Sequence, residues 1–304
     1  MTSRIIATMQ ARPSARTTRS RRRADRRCAA NMGWSRSIEA RMIDALASWG
    51  RCGGMVQGLG SAWMNGDSFY RDGARELRTG FHLRRYDAGG EAYDVAVAVP
   101  AEASPAEGFP LLVVMDGAIH FDAVAAAARA LARRPGKTGV APMVVVGIAS
   151  GAGWSHDPAR RERDFLPDGD GMAALHELVR ERVLPDIATL APIDPARRAI
   201  LGHSFGGVFA LDALALGGFG AGVAFSPSIR RAPQLPERIA GDVRLLIAWG
   251  GREPQAQADL PGTVATLIAN GVHVDHAVFP DEDHGSIVFA ALPMALRFVH
   301  GITR

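Results

Sequence analysis

The sequence predicts an α/β protein: a mostly parallel central sheet with helices on both faces. Two observations carry that reading. Leu111–Met115 and Met143–Ala149 are short, continuous apolar runs without the alternation of a half-exposed strand, so they read as strands buried on both sides. Stretches with helical apolar spacing separate such runs through the second half of the chain, the order expected of strand–helix–strand units. No repeat period appears. The longest apolar runs are strand-length, so no transmembrane helix is implied.

At 304 residues and 47% hydrophobic, the chain can bury one large core and still carry a tail. Charge locates the tail. Residues 1–54 hold twelve arginines against three acids, a charge of +9, while the other 250 residues carry −5. The body is mildly acidic, which disfavours nucleic-acid binding by it. Cys28 and Cys52 both lie in the leader, so no disulfide framework or Cys-x-x-Cys site supports the core.

In chain order, residues 1–54 read as a basic, disordered leader. Its arginines are not followed by the apolar run of an export signal. Within it, Ile38, Met42, Ile43, Leu46 and Trp49 have helical spacing, predicting a short amphipathic helix over 37–49 that Gly50, Gly53 and Gly54 stop. The folded domain spans 68–304. Glu91–Val99 alternates as a strand closed by Pro100, and the buried strand Pro110–Met115 ends in Asp116-Gly117. A helix over 121–134 follows, then the strand 143–149 and a long loop to Pro167. Residues 171–190 read as a helix that Pro185 kinks or ends. The strand around Ala199–Leu201 leads into a helix over 207–216. Strands over 220–225 and 243–249 come next, then a helix over 261–270 with Pro in its first turn and Gly271 past its end. A last strand, 272–279, and a helix over 287–302 complete the chain.

In sheets of this kind ligands sit beyond the carboxyl ends of the strands. The reactive-looking groups fall there: Asp116-Gly117, Ser204, Ser226, Glu253 and His284. Gly202-His203-Ser204-Phe205-Gly206 is a Gly-x-Ser-x-Gly turn between a strand and a helix, the context in which that pattern presents a nucleophilic serine. A serine hydroxyl needs a base, itself oriented by a third group. His284, in the polar loop Pro280–Gly285 leaving the last strand, has the right place, and the order Ser, acid, His is that of an α/β-hydrolase. His120 and His156 read as loop residues, and His203 as flanking the serine but pointing away. The acid is Glu253, Asp259 or absent. The oxyanion donors are the backbone N–H of Phe205 with that of Gly117 or Ala118.

Several segments together resemble the putative esterase family of α/β-hydrolases, over roughly residues 70–302. They are Val114–Gly117 with Phe121, Asp157–Pro167, Gly202–Gly207, Phe225–Ser228 and Phe279–Ser286. The resemblance implies an α/β-hydrolase fold and a serine-dependent carboxylic ester hydrolase, with Ser204 as nucleophile, His284 as general base and siderophore-like or other small esters as substrates. No metal or organic cofactor is implied, and no nucleic acid or membrane partner. Where the siderophore-esterase branch would carry aromatic residues after Ser228, this chain has Ile229-Arg230-Arg231. Arg161, Arg163, Arg230 and Arg231, with Arg160, are candidates to line the cleft and attract an anionic substrate, or to pair with nearby acids and stiffen the loop. The alternatives are a hydrolase-fold binding protein with an incomplete triad, and an acyltransferase. The expected location is cytoplasmic, or periplasmic if the leader acts in export.

Overall fold

The computed structural model describes residues 74–301, apart from 79, 151–153 and 155. The leader (1–54), its helix over 37–49 and the domain start at Ser68 lie outside the described residues. Among the described residues, nine strands form one sheet: β1 (Ala74–Arg78), β2 (Phe81–Ala88), β3 (Glu91–Ala98), β4 (Phe109–Met115), β5 (Val144–Ser150), β6 (Ile193–His203), β7 (Ala221–Phe225), β8 (Arg244–Gly250) and β9 (His273–Phe279). Their order is β1-β2-β3-β5-β4-β6-β7-β8-β9. The β1–β2, β2–β3 and β3–β5 pairs are antiparallel, and every pair from β5 to β9 is parallel.

All residues of β4, β5 and β7 are buried, which explains their unbroken apolar sequences. Alternate residues feed two core layers. Tyr93, Val113, Val146, Phe165 and Phe209 lie on one face. Leu112, Val114, Phe121, Leu201 and Phe225 lie on the other, beneath the first and last helices. Fully burying a side chain as large as Phe209 or Phe225 stabilises by about 1.5–3 kcal/mol. Among the described residues, no helix is long and apolar enough to cross a membrane.

The helices are α1 (Gly117–Ala132), α2 (Pro135–Thr138), α3 (Pro158–Phe165), α4 (Met172–Glu177), α5 (Leu184–Leu190), α6 (Phe205–Leu216), α7 (Leu235–Arg238), α8 (Pro254–Ala269) and α9 (Ile287–Val299). Helix α1 starts four residues earlier than the apolar spacing predicts. Gly117 permits this, because a Cβ there would lie 2.6 Å from the backbone of Gly147. Helix α3 occupies what reads as loop. Asp157 caps it by accepting from the Ala159 and Arg160 N–H groups, and Pro158 fills its first position. Only Asp164 and Phe165 of that helix are buried, so no apolar stripe announces it. A π-helical turn, Leu178–Val183, joins α4 to α5 just before Pro185, so the chain stays helical through the predicted break. Helix α8 begins at Pro254 rather than Pro261, which lies inside it; the first turns lack the apolar spacing that marks its second half.

From β4 the chain moves to β5 on one side and later returns to β6 on the other. That reversal makes the carboxyl ends of β4 and β6 a topological switch point, where a crevice opens.

Candidate active site

Ser204 follows the last residue of β6 and precedes the first of α6. Its backbone is at φ 58°, ψ −118°, a conformation a non-glycine residue adopts only when its surroundings hold it there. The holding contacts are specific. The Ser204 N–H donates to the Phe225 carbonyl at 3.0 Å, and the Ser204 carbonyl accepts from Gly207, Val208 and Ser228 N–H groups. A Cβ on Gly202 would collide with the Gly206 carbonyl, and one on Gly207 would lie 3.1 Å from Pro227. The turn therefore requires small residues at these places. Ser204 Oγ lies 3.2 Å from Ser228 Oγ, so the nucleophile candidate hydrogen bonds to a second hydroxyl here.

His284 Nδ1 lies 2.6 Å from Glu253 Oε2. Glu253 is 9% exposed, whereas the His284 side chain is 51% exposed, so a buried carboxylate anchors a ring half open to solvent. The other carboxylate oxygen, Oε1, accepts from Ser226 Oγ at 2.6 Å and Gly250 N–H at 2.7 Å. Glu253 stands at the N-cap of α8, yet its side chain makes no cap bond and turns to His284. Asp259, the other acid candidate, pairs instead with Arg230 at 2.7 Å and with Gln255. These hydrogen bonds hold the Asp259 carboxyl below the usual range. The loop carrying His284 is itself tied down: Gly251 N–H donates to the Phe279 carbonyl, and Arg252 N–H to that of Glu282. Asp283 accepts from the Ser286 and Gly285 N–H groups, which lowers its pKa.

Two other histidines differ from the sequence reading. His203, read as flanking the serine and pointing away, packs against the base candidate: its ring centroid lies 4.5 Å from that of His284. Burial, then the neighbouring His284 and His120 rings, pushes its pKa down to about 3, so it stays neutral. His120 sits within α1 rather than in a loop, buried, with its ring 5.6 Å from His203.

The oxyanion candidates lie at two helix starts. Gly117 and Ala118 open α1 and Phe205 opens α6, where N–H groups have no intrahelical acceptor. The starts are neighbours: a Cβ on Gly206 would lie 3.0 Å from Asp116 Oδ2. Asp116, itself at φ 55°, would place a negative charge beside this region, but Arg161 clamps it with two bonds of 2.6 and 2.8 Å.

The other arginines are also paired. Arg160 meets Glu91 and Asp164, Arg163 meets Asp170 and Asp164, and Arg231 meets Glu162 and Asp168. Two of them still border the nucleophile turn: the Arg161 and Arg231 guanidiniums lie 5.5 and 5.6 Å from the Phe205 ring centroid. Arg163 and Arg230 have no such contact with the turn. Among the described residues, no group of three or more His, Cys, Asp and Glu side chains is placed to hold a metal ion.

The profile of the family described as "Putative esterase" matches residues 88–259, more than half of the chain. The chain is 28% identical over 243 residues to the ferri-bacillibactin esterase BesA of Bacillus subtilis (strain 168), covering 68% of this chain and 84% of that protein. It is 29% identical over 243 residues to the apo-salmochelin esterase of Escherichia coli O6:H1, covering 69% and 75%. Among solved structures, the BES protein from Bacillus cereus superposes with a TM-score of 0.67 at 22% identity, covering 74% of this chain and 96% of that one. The enterobactin and salmochelin hydrolase IroE does so at 0.61 and 26%, covering 74% and 97%. The chain therefore belongs to the putative esterase family, and it is a serine hydrolase of α/β-hydrolase fold that acts on esters.

Proposed function

We propose that Ser204, His284 and Glu253 form the catalytic triad of this esterase, and that its substrates are siderophore esters of the bacillibactin and salmochelin kind. The observation that carries the first part is the 2.6 Å pairing of Glu253 with His284 Nδ1, on a ring 4.5 Å from that of His203, the residue before a serine held at φ 58°. With Nδ1 occupied, Nε2 is the nitrogen free to act as base. Ser204 Oγ leaves Ser228 and attacks the ester carbonyl while His284 Nε2 takes its proton. The Phe205 amide, with that of Gly117 or Ala118, holds the oxyanion. Collapse of the tetrahedral intermediate passes the proton from His284 to the departing alkoxide. Water, deprotonated by the same nitrogen, then releases the acid and restores Ser204. Glu253 steadies the imidazolium through its bond to Nδ1.

The substrate class rests on the two curated relatives, both named as siderophore esterases, each matched over at least three quarters of its length. The test uses p-nitrophenyl butyrate, ferri-bacillibactin and salmochelin with the intact protein and Ser204→Ala. Loss of about 10⁴-fold or more in kcat, with loss of fluorophosphonate labelling, is expected in the variant. Butyrate turnover without hydrolysis of either siderophore would refute the substrate class. Persistent labelling of Ser204→Ala would refute the nucleophile.

A further inference from the structure

We infer that Ser226 is a positioning residue for the reaction: its hydroxyl locks Glu253 in the orientation that presents Oε2 to His284. The inference rests on the reading of Glu253 as the triad acid. Ser226 follows the last residue of β7, is 3% exposed and has φ 40°, an unusual conformation for a serine. Its N–H donates to the Ala248 carbonyl at 2.8 Å, which anchors the residue to β8. Its hydroxyl donates to Glu253 Oε1 at 2.6 Å. The hydroxyl is the donor in that bond and the carboxylate oxygen the acceptor.

The Gly250 N–H gives Oε1 its second donor, at 2.7 Å. A Cβ on Gly250 would lie 2.9 Å from Oε1 and would collide with the Glu282 carbonyl, so the cradle needs glycine there. With Oε1 held by two donors, rotation of the carboxylate would break both bonds, and Oε2 stays on His284 Nδ1. The chain of bonds crosses the strand ends, from β7 through the β8–α8 turn to the β9–α9 loop. The half-exposed base is thus fixed by the buried sheet and not by its own loop alone. The segment Ser226-Pro227-Ser228 acts at two points, since Ser228 Oγ meets Ser204 Oγ while Ser226 Oγ meets the acid.

The experiment is a double-mutant cycle on ester hydrolysis. Ser226→Gly removes the hydroxyl and suits the positive φ; Ser226→Cys keeps the size with a weaker donor, should the glycine variant fold poorly. Each is made alone and with Glu253→Ala, and folding is followed by circular dichroism and Tm. Ser226→Gly should lower kcat about 10- to 100-fold with little change in KM, the value of a charge-assisted hydrogen bond. Ser226→Cys should lose less. In the Glu253→Ala background neither change should slow the enzyme further, because the group they act through is gone. Equal losses in both backgrounds would show a merely structural role and overturn the inference. An unchanged kcat in Ser226→Gly beside a slow Glu253→Ala would overturn it while leaving the triad standing. A fully active Glu253→Ala would overturn the acid assignment and the role of Ser226 together.

Discussion

Replacing His203 with leucine should make the stability of this protein less sensitive to acid. The native environment holds the His203 pKa at about 3, mainly by burial, while an unfolded chain titrates near the ordinary histidine value of 6.5. Between those values the unfolded state binds a proton that the native state refuses, so stability must fall as pH drops. The contribution is complete above about pH 6.5 and is eroded progressively from there toward pH 3. At pH 5 the loss is about 2 kcal/mol, from roughly one and a half pH units at 1.36 kcal/mol each. His203 Nε2 is enclosed without a hydrogen-bond partner, and the bond the ring makes to the His284 backbone is lost by leucine at both pH values, so its cost cancels in the comparison. Urea unfolding of both proteins at pH 7.5 and pH 5.0 provides the comparison. His120 and His300, whose pKa values burial also lowers, are present in both and cancel in the difference. The wild type should lose about 2 kcal/mol more than the variant on going to pH 5. Equal losses would refute the reasoning, since His203 would then be taking up its proton within the folded protein. If His284 is the base proposed above, a neutral ring packs against it, and it accepts a proton without facing a like charge.

Two further changes test the scaffold of the site. Arg161→Met keeps an unbranched stem near Phe205 but leaves the buried Asp116 carboxylate without its cation; a loss of about 3 kcal/mol is expected in chemical unfolding, partly recovered by adding Asp116→Asn. An unchanged midpoint would mean that the pair is solvated. Gly202→Ala drives a methyl into the Gly206 carbonyl and should cost about 3 kcal/mol or more, or abolish soluble expression, whereas Gly136→Ala, with nothing within 4 Å of its Cβ, should be nearly silent by the same thermal assay. Similar Tm values for the two alanine variants would contradict the packing described for the nucleophile turn.

The parts legible in the sequence are those whose cause is local. Strands buried on both faces must be apolar throughout, so β4, β5, β7 and β8 stand out at nearly their true limits. A sharp turn tolerates only small residues, so Gly202 and Gly206 mark Ser204. Helix α3 is less visible because ion pairs secure it, and Glu91 and Asp116 lie far from its arginines in the chain. The true start of α8 is hidden because Gln255–Asp259 carries no apolar stripe. In the sequence the acid is open between Glu253, Asp259 and none, since two carboxylates six residues apart differ only in the partner each meets in space.

What the sequence determined by itself is the α/β architecture, the nucleophile turn and the chain order of serine and histidine, because burial and turn geometry select residue types at fixed spacing. Only the tertiary structure decided that Arg230 takes Asp259, that His284 takes Glu253, and that Ser226 and Gly250 hold the other carboxylate oxygen. Each of those bonds joins residues brought together by parallel strands and their crossovers. The energy that selects one partner over another is set by distance and burial, and neither exists until the sheet has formed.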